Sequence, residues 1–202
     1  MVIGRRTILG SLAGFALPAA SRAEPAAWPA RLIAAAESQV GRTVIYDPAY
    51  VRIAYPGGDV GRERGVCTDV VVRAYRDGLG LDLQKLVHED MKRAFSAYPR
   101  TWGLRGTDTN IDHRRVPNLE TFFRRKGGAL RFATPADYRP GDLVTQRLPG
   151  NLPHIGIVTH RRARSGRLLV VHNVGAGTHV EDVLAEWPLH GRFRFAPAAL
   201  SG

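Results

Sequence analysis

Apolar residues recur at helical spacing as far as Phe123 and at strand spacing from Leu143 onward. That single change of period constrains the fold more than anything else in the chain. Leu32, Ile33, Ala36 and Val40 mark one face of a first helix over 29–40, with Gly41 as its stop. A second helix starts at or beside Cys67, carries Val66, Val70, Val71 and Ala74 on one stripe, and ends near Gly78-Leu79-Gly80. Asp82 is placed to cap a third, with Leu83, Leu86, Val87, Met91, Ala94 and Phe95 along its apolar side. Asn118 is expected to cap a short fourth carrying Leu119, Phe122 and Phe123, closed by Gly127-Gly128.

The turn Pro140-Gly141-Asp142 then leads into Leu143-Val144-Thr145, followed by strands over 154–159, 168–172 and 192–195. Helices first and an antiparallel sheet afterwards predict an α+β domain, with the N-terminal helices packed on a C-terminal antiparallel sheet. No internal repeat and no second domain boundary interrupt residues 24–202, which are expected to fold as one domain.

The chain opens with Arg5-Arg6, an apolar run from Thr7 to Ala20, and small residues at Ser21 and Ala23. This pattern predicts a signal peptide over residues 1–23, with features of a twin-arginine leader, and a periplasmic or secreted product. The run is too short to span a bilayer, so no integral membrane segment is expected after cleavage. One cysteine among 202 residues excludes an internal disulfide. A lone cysteine in an exported chain is either a small buried hydrophobe or a reactive thiol.

The formal net charge of +11 favours polyanionic surroundings such as acidic cell-wall polymers. The basic residues are scattered apart from Arg124-Arg125-Lys126 and the Arg161–Arg167 turn, and no nucleic-acid motif accompanies them, so a nucleic-acid partner is not expected. A monomer without cofactor is the simplest expectation.

Three residues carry the chemistry. At a helix start, Cys67 meets unpaired N–H groups and the positive end of the helix dipole, both of which favour a thiolate, so a lowered thiol pKa is expected. His154 begins one predicted strand and His172 ends the next. In an antiparallel hairpin those two positions are neighbours. A thiol hydrolase needs a thiolate, an imidazole to take and return its proton, and a third group to orient the imidazole. Cys67, His154 and His172 meet that need. Asn173 competes with His172 for the third role, because adjacent strand residues face opposite ways. Zinc binding by the cysteine and histidines is a further reading, but no short paired ligand spacing supports it, and no metal is expected. The long polar segment from Tyr98 to Pro117 places Asp112, His113 and Arg114 at the rim of a cleft, as substrate-binding residues.

Pro140-Gly141-Asp142-Leu143-Val144, His154-Ile155-Gly156-Ile157-Val158 and Val170-Val171-His172 resemble the C-terminal half of the NlpC-type cell-wall cysteine peptidases. The region from Leu32 to Phe195 is more closely similar to a family of secreted bacterial proteins known as a domain of unknown function, an outlying branch of that superfamily. The resemblance implies a papain-like fold, a Cys67-His154-His172 triad and cleavage of an amide bond in peptidoglycan peptides or a related amide. It also implies a tyrosine ahead of the cysteine that positions substrate, for which Tyr46 and Tyr55 are candidates. The motif departs from the family's Asp-Cys-Ser-Gly-Phe: here Val66 precedes the cysteine and Asp69 follows it. A binding module with an inert cysteine and a thiol acyltransferase remain as alternatives.

Overall fold

The computed structural model describes residues 27–131 and 134–196. The expected signal peptide lies outside them. Four helices precede a five-stranded antiparallel sheet, so the α+β order of layers is as the periodicity predicts. The helices are α1 (Trp28–Glu37), α2 (Cys67–Leu79), α3 (Leu83–Arg93) and α4 (Val116–Arg125). Two short strands, β1 (Ile45–Tyr46) and β2 (Arg64–Gly65), pair in parallel just ahead of α2. The main sheet holds β3 (Leu143–Leu148), β4 (Leu152–Arg162), β5 (Leu168–Asn173), β6 (Thr178–Glu181) and β7 (Leu189–Phe193), in the order β6-β5-β4-β3-β7.

Alternation along the strands gives the sheet two buried faces. Leu143, Ile155, Ile157, Val171 and Phe193 pack against Val70, Val71 and the other helical residues. Val144, Val158 and Val170 pack on the opposite face with Tyr138, Leu184 and Trp187. Each of these side chains contributes about 1.5–3 kcal/mol on full burial, so neither face is free to turn outward. Phe122 and Phe123 of α4 meet Phe195 at ring separations of 5.4 and 5.5 Å, which fastens the last helix to the end of the sheet.

Several boundaries differ from the sequence expectation. α1 stops at Glu37 rather than Val40, and Val40 is exposed; Gln39 instead turns inward and donates to the Val70 carbonyl at 2.9 Å. Asp82 caps α3 as expected, accepting from Gln84 N–H. Asn118 does not cap α4. It lies inside the helix and donates to the Asp112 carbonyl at 3.0 Å, in the preceding single helical turn, a contact that the capping pattern does not reveal. The last strand starts three residues earlier than its aromatic alternation implies, and Phe195 lies beyond it.

The Pro-Gly-Asp turn has a definite physical role. Gly141 adopts φ +86°, a conformation that costs glycine little. The Asp142 carboxylate is buried, accepts from the Arg139 N–H at 3.0 Å and from Arg192 Nε at 2.8 Å, and so ties the entry of β3 to β7.

Candidate active site

Cys67 is the first residue of α2, and the chain entering it is clamped on every side. Tyr46 pairs with Gly65 across β1 and β2. The fully buried Arg73 binds Asp59 through Nε at 2.9 Å and the Arg64 carbonyl through Nη2 at 2.9 Å. Asp69 accepts the Val66 N–H at 2.7 Å, capping the helix from within. Asp69, two residues after the cysteine, thus holds the backbone of the residue before it.

Asp69 in turn pairs with Arg114, whose Nε and Nη2 approach it at 3.0 and 2.9 Å. Arg114 also donates to the carbonyls of Ala49 and Asp47. Both members of the pair are buried, so the charge of Arg114 is committed to this loop.

The Cys67 side chain is buried, with only 4% of its surface exposed. Burial pushes its thiol up to about 11, and the Asp69 carboxylate adds to the shift. Backbone N–H groups of Ile155, Thr68 and Cys67 itself favour the thiolate but are outweighed. The helix-start argument therefore named two of the three backbone donors, missed Ile155 of β4, and gave the wrong net direction because it omitted desolvation.

His154 and His172 are brought together as the hairpin geometry predicts. His154 Nε2 lies 2.9 Å from His172 Nδ1, with the rings edge-on at 5.0 Å. Gly156 makes the approach possible: a Cβ there would lie 3.1 Å from the His172 Cβ and 3.0 Å from the Val171 carbonyl. His172 Nε2 lies 2.9 Å from Glu181 Oε2 on β6. Trp187 covers both rings edge-on, at 5.8 Å from His154 and 6.0 Å from His172. Gln146, opposite His154 in the β3–β4 register, holds that cover by donating to the Val183 and Trp187 carbonyls. Burial pushes His154 down to about 3, and the neighbouring His172 adds to this; burial also lowers His172.

The structure does not bring Cys67 to the histidine pair as the triad requires, because alternation along β4 sends Ile155 to the helical face with Cys67 and His154 to the opposite face with Trp187. The Ile155 backbone favours the Cys67 thiolate from the helical face of β4, while the His154 ring leaves β4 on the Trp187 side. Among the described residues no hydrogen bond joins Cys67 to His154, and the resting pair is a neutral thiol beside a neutral imidazole. Asn173 faces the other way from His172 and donates to the Gly65 carbonyl at 3.0 Å. Its contact is with the cysteine loop, not with the His154 ring.

A cleft of about 190 Å³ opens beside Cys67, walled by Tyr46, Trp102, Arg114, Arg115 and Pro153 among others. The Arg115 guanidinium stacks over Trp102 at 4.2 Å. Tyr46 stands in this wall, with its hydroxyl raised to about 12 by burial and by the Cys67 and Asp69 charges. Tyr55 packs against His88 at 5.1 Å instead.

The expected cleft rim at 112–114 needs correction. Only Arg114 lines the cleft; Asp112 and His113 are buried in a single helical turn, Asp112–Arg114. Asp112 accepts the Asp108 N–H at 2.8 Å and contacts His88 Nδ1 at 3.1 Å, so it organises the loop from inside. Burial lowers His113 to about 4. Asp112 and Arg114 thus spend their hydrogen bonds on protein partners rather than at an open rim. Glu181, Trp187 and the Asp69–Arg114 pair were missed by sequence reasoning. β6 is a four-residue, largely polar strand with no apolar alternation to announce it.

A family model described as a domain of unknown function, DUF1287, matches residues 33–195. The chain belongs to the DUF1287 family. The match runs from α1 to Phe195 and so includes Cys67, His154, His172 and Glu181. An uncharacterized protein of Escherichia coli (strain K12), YijF, is 54% identical over 161 residues, covering 79% of this chain and 78% of the relative. A solved structure of NlpC1 from Trichomonas vaginalis aligns with 86% of this DUF1287 chain at 12% identity and a TM-score of 0.45. The chain spans 46% of the length of that protein. Among the described residues no helix is long and apolar enough to cross a membrane.

Proposed function

We propose that this chain is an exported thiol hydrolase of NlpC-like, papain-like type that cleaves an amide bond in peptidoglycan peptides. The observation that carries the reading is the approach of His154 Nε2 to His172 Nδ1 at 2.9 Å, on a strand whose next residue, Ile155, packs in the same core as Cys67. That contact engages Nε2 and leaves Nδ1 without a side-chain partner, on the face of the sheet opposite Cys67. In the hydrolase reading the His154 ring has to leave the Trp187 face of the sheet on substrate entry, so that Nδ1 reaches Cys67 and takes the thiol proton. The sulfur then attacks the amide carbonyl, and the C–S bond forms as the carbonyl electrons move onto oxygen.

Backbone N–H groups around Cys67 lie where they can stabilise that oxyanion. The imidazolium returns its proton to the leaving nitrogen as the C–N bond breaks, giving an amine and a thioester. Water, deprotonated by His154, then hydrolyses the thioester. His172 holds the imidazole throughout, and Tyr46 contributes to the substrate wall. The basic surface suits an acidic wall polymer.

A second reading, a wall-binding module with an inert cysteine, is favoured by the raised thiol and the absence of a direct Cys67–His154 hydrogen bond. An acyltransferase would share the thioester and differ only in the nucleophile that resolves it. Purified protein and its Cys67→Ala variant are incubated with peptidoglycan fragments, and the products are mapped by mass spectrometry. New amide-cleavage products with the parent alone support the hydrolase, and ligation products indicate transfer. Identical fragment spectra from both proteins overturn the catalytic reading.

A further inference from the structure

We propose that Glu181 is a positioning residue that fixes the tautomers of both buried histidines, so that His154 presents a bare Nδ1 lone pair. The inference rests on the proposed role of His154 as base. A carboxylate accepts hydrogen bonds and has none to donate, while a neutral imidazole carries one N–H and one lone pair. His172 Nε2 stands 2.9 Å from Glu181 Oε2, so its one proton belongs on Nε2. Its Nδ1 is therefore an acceptor, and the group facing it at 2.9 Å, His154 Nε2, must donate. The single proton of neutral His154 is then on Nε2, and Nδ1 is left unprotonated. Without Glu181, His172 is free to carry its proton on Nδ1 and donate it to His154 Nε2. That arrangement moves the His154 proton to Nδ1 and removes the base.

The fold supports this chain of bonds with little freedom. Glu181 pairs with Val170 across β5 and β6, which sets it diagonally beside His172 on the same face. Trp187 closes that face over both rings. His179 stands directly opposite His172, but its Nε2 is 3.0 Å from the Ala176 carbonyl, so the carboxylate is the partner of His172 Nε2. When His154 becomes cationic in turnover, the same bonds connect it to a negative charge at the sheet edge.

The test is a two-bond nitrogen–proton correlation spectrum of protein labelled with 15N-histidine at pH 7.5, with signals assigned through His154→Gln and His172→Asn. In the parent, both histidines are expected as the Nε2–H tautomer. In Glu181→Ala a substantial Nδ1–H population of His154 is expected, and Glu181→Gln, which keeps an acceptor oxygen, is expected to restore part of the parent pattern. Release of peptidoglycan fragments is expected to fall at least about tenfold in Glu181→Ala at unchanged melting temperature. A parent His154 carrying its proton on Nδ1, or an unaltered His154 spectrum in Glu181→Ala, overturns the proposal. The spectra need no substrate, so the tautomer assignment is decided independently of peptidoglycan cleavage. An inert Cys67 with the expected spectra refutes the hydrolase reading and the catalytic use of the lone pair, and leaves the tautomer assignment standing.

Discussion

His172 turns its Nδ1 to His154 at 2.9 Å, and its neighbour Asn173 turns the other way to hold Gly65 at 3.0 Å. Two adjacent residues of β5 thus serve two different parts of the site. His154→Ala should lower release of peptidoglycan fragments nearly as far as Cys67→Ala. His172→Ala should cost about tenfold to a hundredfold, since nucleophile and base remain. The double variant of both histidines should match His154→Ala, as members of one relay are not additive. Asn173→Ala should instead lower stability by about 0.5–1.5 kcal/mol through the lost bond to the cysteine loop. Should Asn173→Ala prove the more damaging to turnover at unchanged stability, the third residue is misassigned.

The thiol offers a direct chemical readout. In protein without substrate, alkylation of Cys67 by iodoacetamide should titrate above the ordinary cysteine value of about 8.5, towards the value of about 11 that burial imposes. Unfolding the chain should return the midpoint to the ordinary value. A folded-state midpoint below it would mean that His154 already forms an ion pair with the sulfur before substrate arrives.

Arg114→Met tests the pair that anchors the cysteine helix. Removing the cation leaves Asp69 buried and unpaired, which should cost about 3–5 kcal/mol. Denaturant melts of the variant and of Asp69→Asn would measure it. If Arg114→Met lowers activity with no loss of stability, the guanidinium acts on substrate rather than on the loop.

Acid should destabilise the fold through its buried imidazoles. His154 and His113 fall to about 3 and about 4 in the folded state, against an ordinary 6.5. Between those values the unfolded chain binds more protons, so the stability they contribute is complete above about pH 6.5 and declines as the pH falls towards 3. Each group adds at most about 1.4 kcal/mol per pH unit. Melting temperatures from pH 7.5 to 4 should show the decline, and His154→Gln should flatten it. A profile indifferent to His154→Gln would mean that the ring is solvated in the folded protein.

Much of this arrangement was legible because it rests on local signals. Period, the Asp82 cap and the Pro-Gly-Asp turn fixed the layers, and hairpin geometry placed His154 beside His172. What sequence could not supply depends on tertiary partners. The direction of the Cys67 shift needs the depth of its burial. The inward turn of Asp112 and His113 needs His88 and Asp108, and Glu181 needs a strand too short and polar to announce itself.

The enclosure of Cys67 bears on how the protein survives before it meets a substrate. A sulfur that is 4% exposed and held as a thiol is a poor target for peroxides and for exchange with foreign disulfides, since both require an accessible thiolate. The wall of Tyr46 and Pro153 and the bed of β4 shield the only sulfhydryl of the chain, which should slow its oxidation in an oxidising medium. Durability without a disulfide partner is thus a property of the same packing that holds the thiol silent.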